Sequence, residues 1–207
     1  MAYKQDIKDV YSKFGLFNAR WYDQARALWT NLASRKAEAN FTKLLIANIK
    51  PSSEILDLGC GTGINLERIL NSKKRFRSYT GVDFSDDMLK IARKKFPKIE
   101  NVALIRRDIT KPSAKKYDII ISTWVMSHLE EQSKIIDSYA RRLNKKGILL
   151  FVFLTKPVWY IDFWFHPILR LFACEPVSED EIQKIRFRKD INKYSLGITT
   201  LLMIRGK

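Results

Sequence analysis

The chain of 207 residues contains two cysteines, Cys60 and Cys174. They could form one bridge at most, so the fold does not rest on a disulfide framework, and both read as free thiols of a reducing compartment. Histidine is as scarce. His128 and His166 stand far apart with no Cys or Glu partners at ligand spacing, which argues against zinc and leaves no metal site to expect. Acidic residues are in deficit, 22 against 38 Lys and Arg, a formal net charge of +16. That excess favours nucleic acid, anionic membrane or acidic partners, yet the basic residues are scattered, and a solvated lysine-rich surface explains them as well. Repeats, low-complexity tracts and linkers are absent. The first ten residues carry Lys4, Asp6, Lys8 and Asp9 and lack the apolar stretch of a secretory signal, so a cytoplasmic location is expected. With 46% hydrophobic residues the chain can bury a sizeable core, and its length suits one domain over residues 1–207.

What is present is an alternation of short apolar runs and amphipathic segments. From Asp6 to Ala47 apolar residues such as Val10, Phe14, Phe17, Leu28 and Leu32 recur at helical spacing. After the Pro51-Ser52-Ser53 turn the period changes. Glu54–Leu58, Ser78–Asp83, Val102–Arg106, Tyr117–Ser122 and Gly147–Leu154 read as strands. Thr62–Leu70, the segment opened by Ser85 and stopped before Pro97, and Glu130–Leu143 read as helices. This order predicts a doubly wound α/β fold with a mostly parallel sheet. Ile182–Asp190 and Ile198–Arg205 are too close together for a parallel crossover, so they are expected as a closing antiparallel hairpin that brings the sheet to seven strands.

Chemistry concentrates where the first strand meets the first helix. Asp57-Leu58-Gly59-Cys60-Gly61-Thr62-Gly63 places three glycines where backbone can approach a ligand and helix N–H groups are free. The dinucleotide pattern needs glycine at position 64, which is Ile64, and no G-x-x-x-x-G-K-[ST] phosphate loop exists. Asp83 ends the second strand, where an acid can accept both hydroxyls of a ribose.

Four runs together, EILDLGCGTG (Glu54 to Gly63), YTGVDFSDDMLKIARKK (Tyr79 to Lys95), RRDIT (Arg106 to Thr110) and YDIIISTWVMSHL (Tyr117 to Leu129), resemble the successive motifs of class I S-adenosylmethionine-dependent methyltransferases. The resemblance implies S-adenosyl-L-methionine as cofactor. It implies that Asp57, Gly59, Cys60, Gly61 and Gly63 hold the methionine end and that Asp83 holds the ribose. Phe84 and Met88 would flank the adenine, Asp108 and Ile109 would read its edge, and Thr123 would border the sulfonium. Read from the residues alone, Met88 also fits ordinary core, Asp108 a cap on the turn before Pro112, and His128 a packed or capping residue rather than a proton acceptor.

The acceptor must be read outside these motifs. The stretch after the fourth strand, Ser122-Thr123-Trp124-Val125, is not the Asn- or Asp-Pro-Pro-aromatic tetrad of exocyclic-amine methyltransferases. The entry segment Val10 to Ala25 resembles that of small-molecule methyltransferases, making Tyr11, Trp21 and Tyr22 candidate lid residues, with amphipathic core the alternative. Lys156 to Pro176 is rich in aromatics and broken by Asp162, His166 and Arg170, so it does not span a membrane. Trp159, Phe163 and Trp164 could wall a substrate pocket, dip into a membrane interface or pack on the sheet. The expected organisation is a helical lid over 1–50, a cofactor core over 51–155, a recognition insertion over 156–180 and a hairpin over 181–207. The expected activity is methyl transfer to a small-molecule or lipid-like acceptor, with Trp124 among the acceptor contacts and His128 and Tyr22 the catalytic candidates. RNA methylation and a non-catalytic cofactor-binding partner protein are the alternatives.

Overall fold

The computed structural model describes residues 34–156 and 175–207. Tyr11, Trp21, Tyr22, Trp159, Phe163, Trp164, His166 and Cys174 lie outside the described residues. Helix α1 (Arg35–Asn48) buries Ala37, Glu38, Phe41 and Leu45, three- and four-residue steps that make one face. Strand β1 (Glu54–Leu58) leads through the glycine loop into α2 (Ile64–Asn71). Strand β2 (Ser78–Asp83) is followed by α3 (Asp86–Lys95). Helix α3 has acids in its first turn, bases in its last, and a Ser85 hydroxyl that accepts from Met88 N at 3.4 Å; each suits the helix dipole or satisfies a free N–H. Strands β3 (Val102–Arg106) and β4 (Tyr117–Thr123), helix α4 (Gln132–Ala140) and strand β5 (Leu143–Leu154) complete the parallel part. Helix α5 (Glu179–Lys184) and strands β6 (Lys189–Tyr194) and β7 (Thr199–Arg205) close the chain.

The seven strands lie in the order β3-β2-β1-β4-β5-β7-β6. The pairs β1–β2, β1–β4, β2–β3 and β4–β5 are parallel, while β7 runs antiparallel to both β5 and β6. Period two sorts the core. Leu149, Phe151 and Phe153 of β5 face a cluster with Ile135 and Ile136 of α4 and Ile182 of α5. Ile148, Leu150 and Val152 face the other side, with Phe41 and Leu45 of α1 and Leu66 and Ile69 of α2. Helices thus cover both faces, as buried parallel strands require. Among the described residues no helix is long and apolar enough to cross a membrane.

Two boundaries differ from the sequence expectation. The expected strand from Ile182 is the helix α5, and β6 begins only at Lys189. Ser178 caps that helix by accepting from Glu181 N at 3.2 Å, and three acids fill its first turn. A cap, a favourable dipole and Ile182 and Ile185 three residues apart on the core outweigh the strand-like run. The helix expected to reach Leu143 ends at Ala140, and Leu143 already pairs with Tyr117 before a register shift. Gly147 belongs to that irregular stretch, where a Cβ would lie 2.9 Å from two backbone oxygens.

Because Phe41 is fully buried against the sheet, Phe41→Ala is expected to lower the unfolding free energy by about 3–5 kcal/mol. The exposed Lys43→Ala on the same helix should stay within about 0.5 kcal/mol of wild type. Denaturant unfolding of the two variants checks whether α1 belongs to the cooperative core.

Candidate functional site

The site lies at the carboxyl edge of the sheet, where β1 and β4 part and their crossovers leave in opposite directions. Gly59, Gly61 and Gly63 take φ of +66°, +52° and +86°, the left-handed region that glycine enters without penalty. A Cβ on Gly59 would come 2.2 Å from Val125 Cγ2, and one on Gly63 would come 2.7 Å from the Phe96 ring. A Cβ on Gly61 would meet nothing within 4 Å and would project from the wall of a cleft. Two glycines therefore let the loop close onto its neighbours, and the third keeps the cleft clear. The loop is pinned by Gly59 N and Cys60 N, which donate to Val82 O at 2.8 and 3.0 Å. Cys60 is buried against Gly81, and burial pushes its thiol far up, so it stays protonated.

The acids take separate places. Asp83 is on the cleft wall, 7% exposed, with Oδ2 accepting from Gly61 N at 2.8 Å and Oδ1 from Ser85 N at 2.9 Å. Burial raises its carboxyl, and the backbone donors at Ser85 and Gly61 oppose that shift. Asp57 is fully buried beneath the loop, accepting from Tyr79 Oη at 2.5 Å and from Asn65 Nδ2 at 3.2 Å. Asp108 lines the cleft and also caps its turn, accepting from Thr110 N at 2.9 Å and Thr110 Oγ1 at 2.7 Å. The turn cap expected for Asp108 is thus present, on a residue that also faces the cleft.

The cleft measures about 520 Å³, within the range of small-molecule sites. Phe84, Met88, Ile109, Val125 and Leu129 make its apolar wall, and Gly59, Gly61, Thr123, Trp124 and His128 line it too. Phe84 is 38% exposed on that wall. Ile109 is fixed through its carbonyl, which accepts from Tyr139 Oη at 2.7 Å. His128 ends a single 3-10 turn, Met126–His128, that follows β4. Asp57, Cys60 and Gly63 do not line the cleft; they support the loop from behind.

Trp124 has φ +68°, a conformation that costs a residue with a Cβ roughly 1–2 kcal/mol. Its backbone N–H donates to Val152 O at 2.7 Å and its indole Nε1–H to Glu38 Oε1 at 2.5 Å. Sequence reasoning singled out neither Glu38 nor Asn65, whose Nδ2 lies 3.2 Å from Thr123 Oγ1. A signal was present for Glu38, an acid on the same helix face as Phe41 and Leu45. Tyr79, Val125, Leu129 and Arg107 were also missed as site residues, because only the tertiary fold brings them here.

Burial is the main cause that moves Asp57 from its ordinary value of 3.8 up to about 6. Between those values the native state keeps a proton that the unfolded chain has released, so its contribution to stability is full below about pH 4 and is lost as pH rises through about 6. Wild type should therefore lose about 2 kcal/mol relative to Asp57→Asn between pH 4 and 7.5. Denaturant titrations of both proteins across that range measure it. A difference that grows with pH would mean that Tyr79 and Asn65 outweigh burial.

Residues 28–192 match the profile of a family described as a methyltransferase domain. The malonyl-[acyl-carrier protein] O-methyltransferase of Halalkalibacterium halodurans is 32% identical over 153 residues, 72% of this chain and 54% of that protein. The ubiquinone/menaquinone biosynthesis C-methyltransferase UbiE of Campylobacter jejuni is 29% identical over 150 residues, 68% of this chain and 63% of that protein. The chain thus spans less than two thirds of the length of these relatives. In structure it is similar to magnesium protoporphyrin IX methyltransferase from Synechocystis PCC 6803, solved with SAH bound, at a TM-score of 0.67 and 19% identity over 97% of this chain and 100% of that one. That likeness shows a shared fold. By the family profile that covers most of its residues, and by the glycine loop, the acid after β2 and the seven-stranded sheet, the chain belongs to the class I S-adenosylmethionine-dependent methyltransferases.

Proposed function

We propose that the cleft binds S-adenosyl-L-methionine and that the chain transfers its methyl group to a small-molecule or lipid-like acceptor. The observation that carries this reading is Asp83. A carboxylate held by two backbone N–H groups faces a cleft that glycine keeps open. Its oxygens keep lone pairs for a pair of vicinal hydroxyls, so Asp83 takes the ribose. Phe84, Met88 and Ile109 offer an apolar slot for the adenine, and Asp108 accepts from its exocyclic amine. Gly59 and Gly61 leave room for the methionine end, whose loop Asp57, Cys60 and Gly63 support, and Thr123 borders the sulfonium. The bound cofactor supplies an electrophilic methyl group on a good leaving group. The chain has then to align the acceptor, exclude water and, for some acceptors, take a proton. His128, on the cleft wall, and Tyr22 are the candidates for that proton.

The acceptor side follows from the same placement. Trp124 stands at the cleft wall where the methyl group would point, and Tyr11, Trp21, Tyr22, Trp159, Phe163 and Trp164 complete an aromatic enclosure in this proposal. Residues 1–50 then act as the lid, 51–155 as the cofactor core, 156–180 as the recognition insertion and 181–207 as the closing hairpin. The names of the two curated relatives, malonyl-[acyl-carrier protein] O-methyltransferase and ubiquinone/menaquinone biosynthesis C-methyltransferase, support a small or lipid-like acceptor. RNA is the second reading, favoured by the net charge of +16 and by Arg106 and Arg107 on the cleft wall. Arg106 is already engaged with Asp86 at 2.7 Å, which weakens that reading.

Calorimetry is expected to show S-adenosylhomocysteine binding in the micromolar range or tighter, near −8 kcal/mol. Asp83→Ala should weaken it by roughly 1.5–3 kcal/mol, the worth of hydrogen bonds to a charged group. Radiolabelled S-adenosylmethionine offered to lipid, metabolite and RNA fractions should label the first or second. Preference for NAD over both sulfur compounds would overturn the cofactor, and stoichiometric labelling of one RNA position would overturn the acceptor class.

A further inference from the structure

Behind the cleft wall runs a chain of largely buried polar groups, three of which, Glu38, Arg68 and Asn65, the reading of the cleft leaves without a role. Glu38 of α1 is 4% exposed. Its carboxylate pairs with the guanidinium of Arg68 on α2 and accepts the indole N–H of Trp124. Arg68 donates onward to Asn65 Oδ1 at 2.9 Å, and Asn65 Nδ2 reaches both Thr123 Oγ1 and Asp57 Oδ1. Helix α1, an outer-layer element, is thereby joined to the two cleft-wall residues Thr123 and Trp124 at the end of β4.

Stability alone does not account for this arrangement. Taking an ion pair out of water costs about as much as its attraction returns, and apolar side chains of similar volume would fill the contact between α1 and α2 as well. What the pair supplies is position. Trp124 sits in the left-handed region, which an aromatic residue keeps only where its surroundings hold it. Trp124 packs against the apolar cluster that α1 and α2 share with the sheet, and within that contact Glu38 receives its indole donor.

We propose that Glu38 is a positioning residue: through the indole of Trp124 it sets the cleft wall beside the sulfonium, so that this one polar contact, rather than the apolar packing of α1 on the sheet, governs affinity for the S-adenosyl ligand. The proposal rests on the reading of the cleft given above. Arg68 and Asn65 extend the same hold to Thr123, which places both wall residues under the control of one buried carboxylate.

Calorimetry with S-adenosylhomocysteine on Glu38→Ala, Trp124→Phe and the double variant tests it. Each single variant should bind roughly tenfold more weakly, and the double variant no more weakly than Glu38→Ala alone, because Trp124→Phe removes only a contact that Glu38→Ala has already broken. Glu38→Gln keeps an oxygen for the indole and should stay within about threefold of wild type. Leu45→Ala, a fully buried site on the same helix with no polar link, serves as the control. It should lose stability and bind as wild type does. The indole N–H resonance of Trp124, identified by its loss in Trp124→Phe, should move in Glu38→Ala and stay in place in Leu45→Ala. Wild-type affinity in Glu38→Ala, additive losses in the double variant, or equal weakening by Leu45→Ala would each overturn the proposal alone. A wild type that does not bind S-adenosylhomocysteine would overturn the reading of the cleft and the proposal with it.

Discussion

A parallel sheet covered by helices on both faces can place polar side chains cheaply only at the ends of its strands. In this chain β4 and β5 are apolar on both faces through their middles, and the polar groups gather at one edge: Asp83 ends β2 and Thr123 ends β4. The site follows from that constraint together with the strand order. Where β1 and β4 lie side by side their crossovers diverge, and the space between them is the cleft. Asp57 is the exception, an acid inside β1 with no exposure. It is tolerated because Tyr79 on the neighbouring strand and Asn65 on α2 donate to it, and because burial raises its carboxyl toward the neutral form.

The glycine loop is the second consequence. A strand that ends in a buried sheet has to turn sharply into its helix, and the turn has to leave ligand space on one side while packing on the other. Gly59 against Val125 and Gly63 against Phe96 meet the packing demand, and Gly61 meets the demand for space. One motif therefore does two physical jobs, and the residues between its glycines differ accordingly. Cys60 is turned into the core, and Asp83 ties the cleft side of the loop through Gly61 N.

The strands Glu54–Leu58, Ser78–Asp83 and Val102–Arg106 were legible from sequence because each is an apolar run bounded by turn residues, and the fold class followed from their alternation with helices. The helix Glu179–Lys184 was not, since Ile182 onward alternates like a strand and the deciding features, the Ser178 cap and the contact of Ile182 and Ile185 with the core, are a local hydrogen bond and a tertiary fact. In the cleft, Asp83, Phe84, Asp108 and Thr123 could be named because they end strands or follow them closely. Val125 and Leu129 could not, because they take their places from the irregular turn after β4. Glu38 lay on an apolar helix face in plain view, but its meaning depends on Trp124, 86 positions away.

The glycine loop, the cleft and the end of β2 meet at the Asp83 carboxylate, and a crystal structure with S-adenosylhomocysteine is the decisive measurement. The bound ligand should place both ribose hydroxyls within about 3 Å of the Asp83 oxygens, the adenine between Phe84 and Ile109, and the sulfur facing Thr123. A ligand bound elsewhere, or one in this cleft with its ribose turned away from Asp83, would contradict the reading of the cleft.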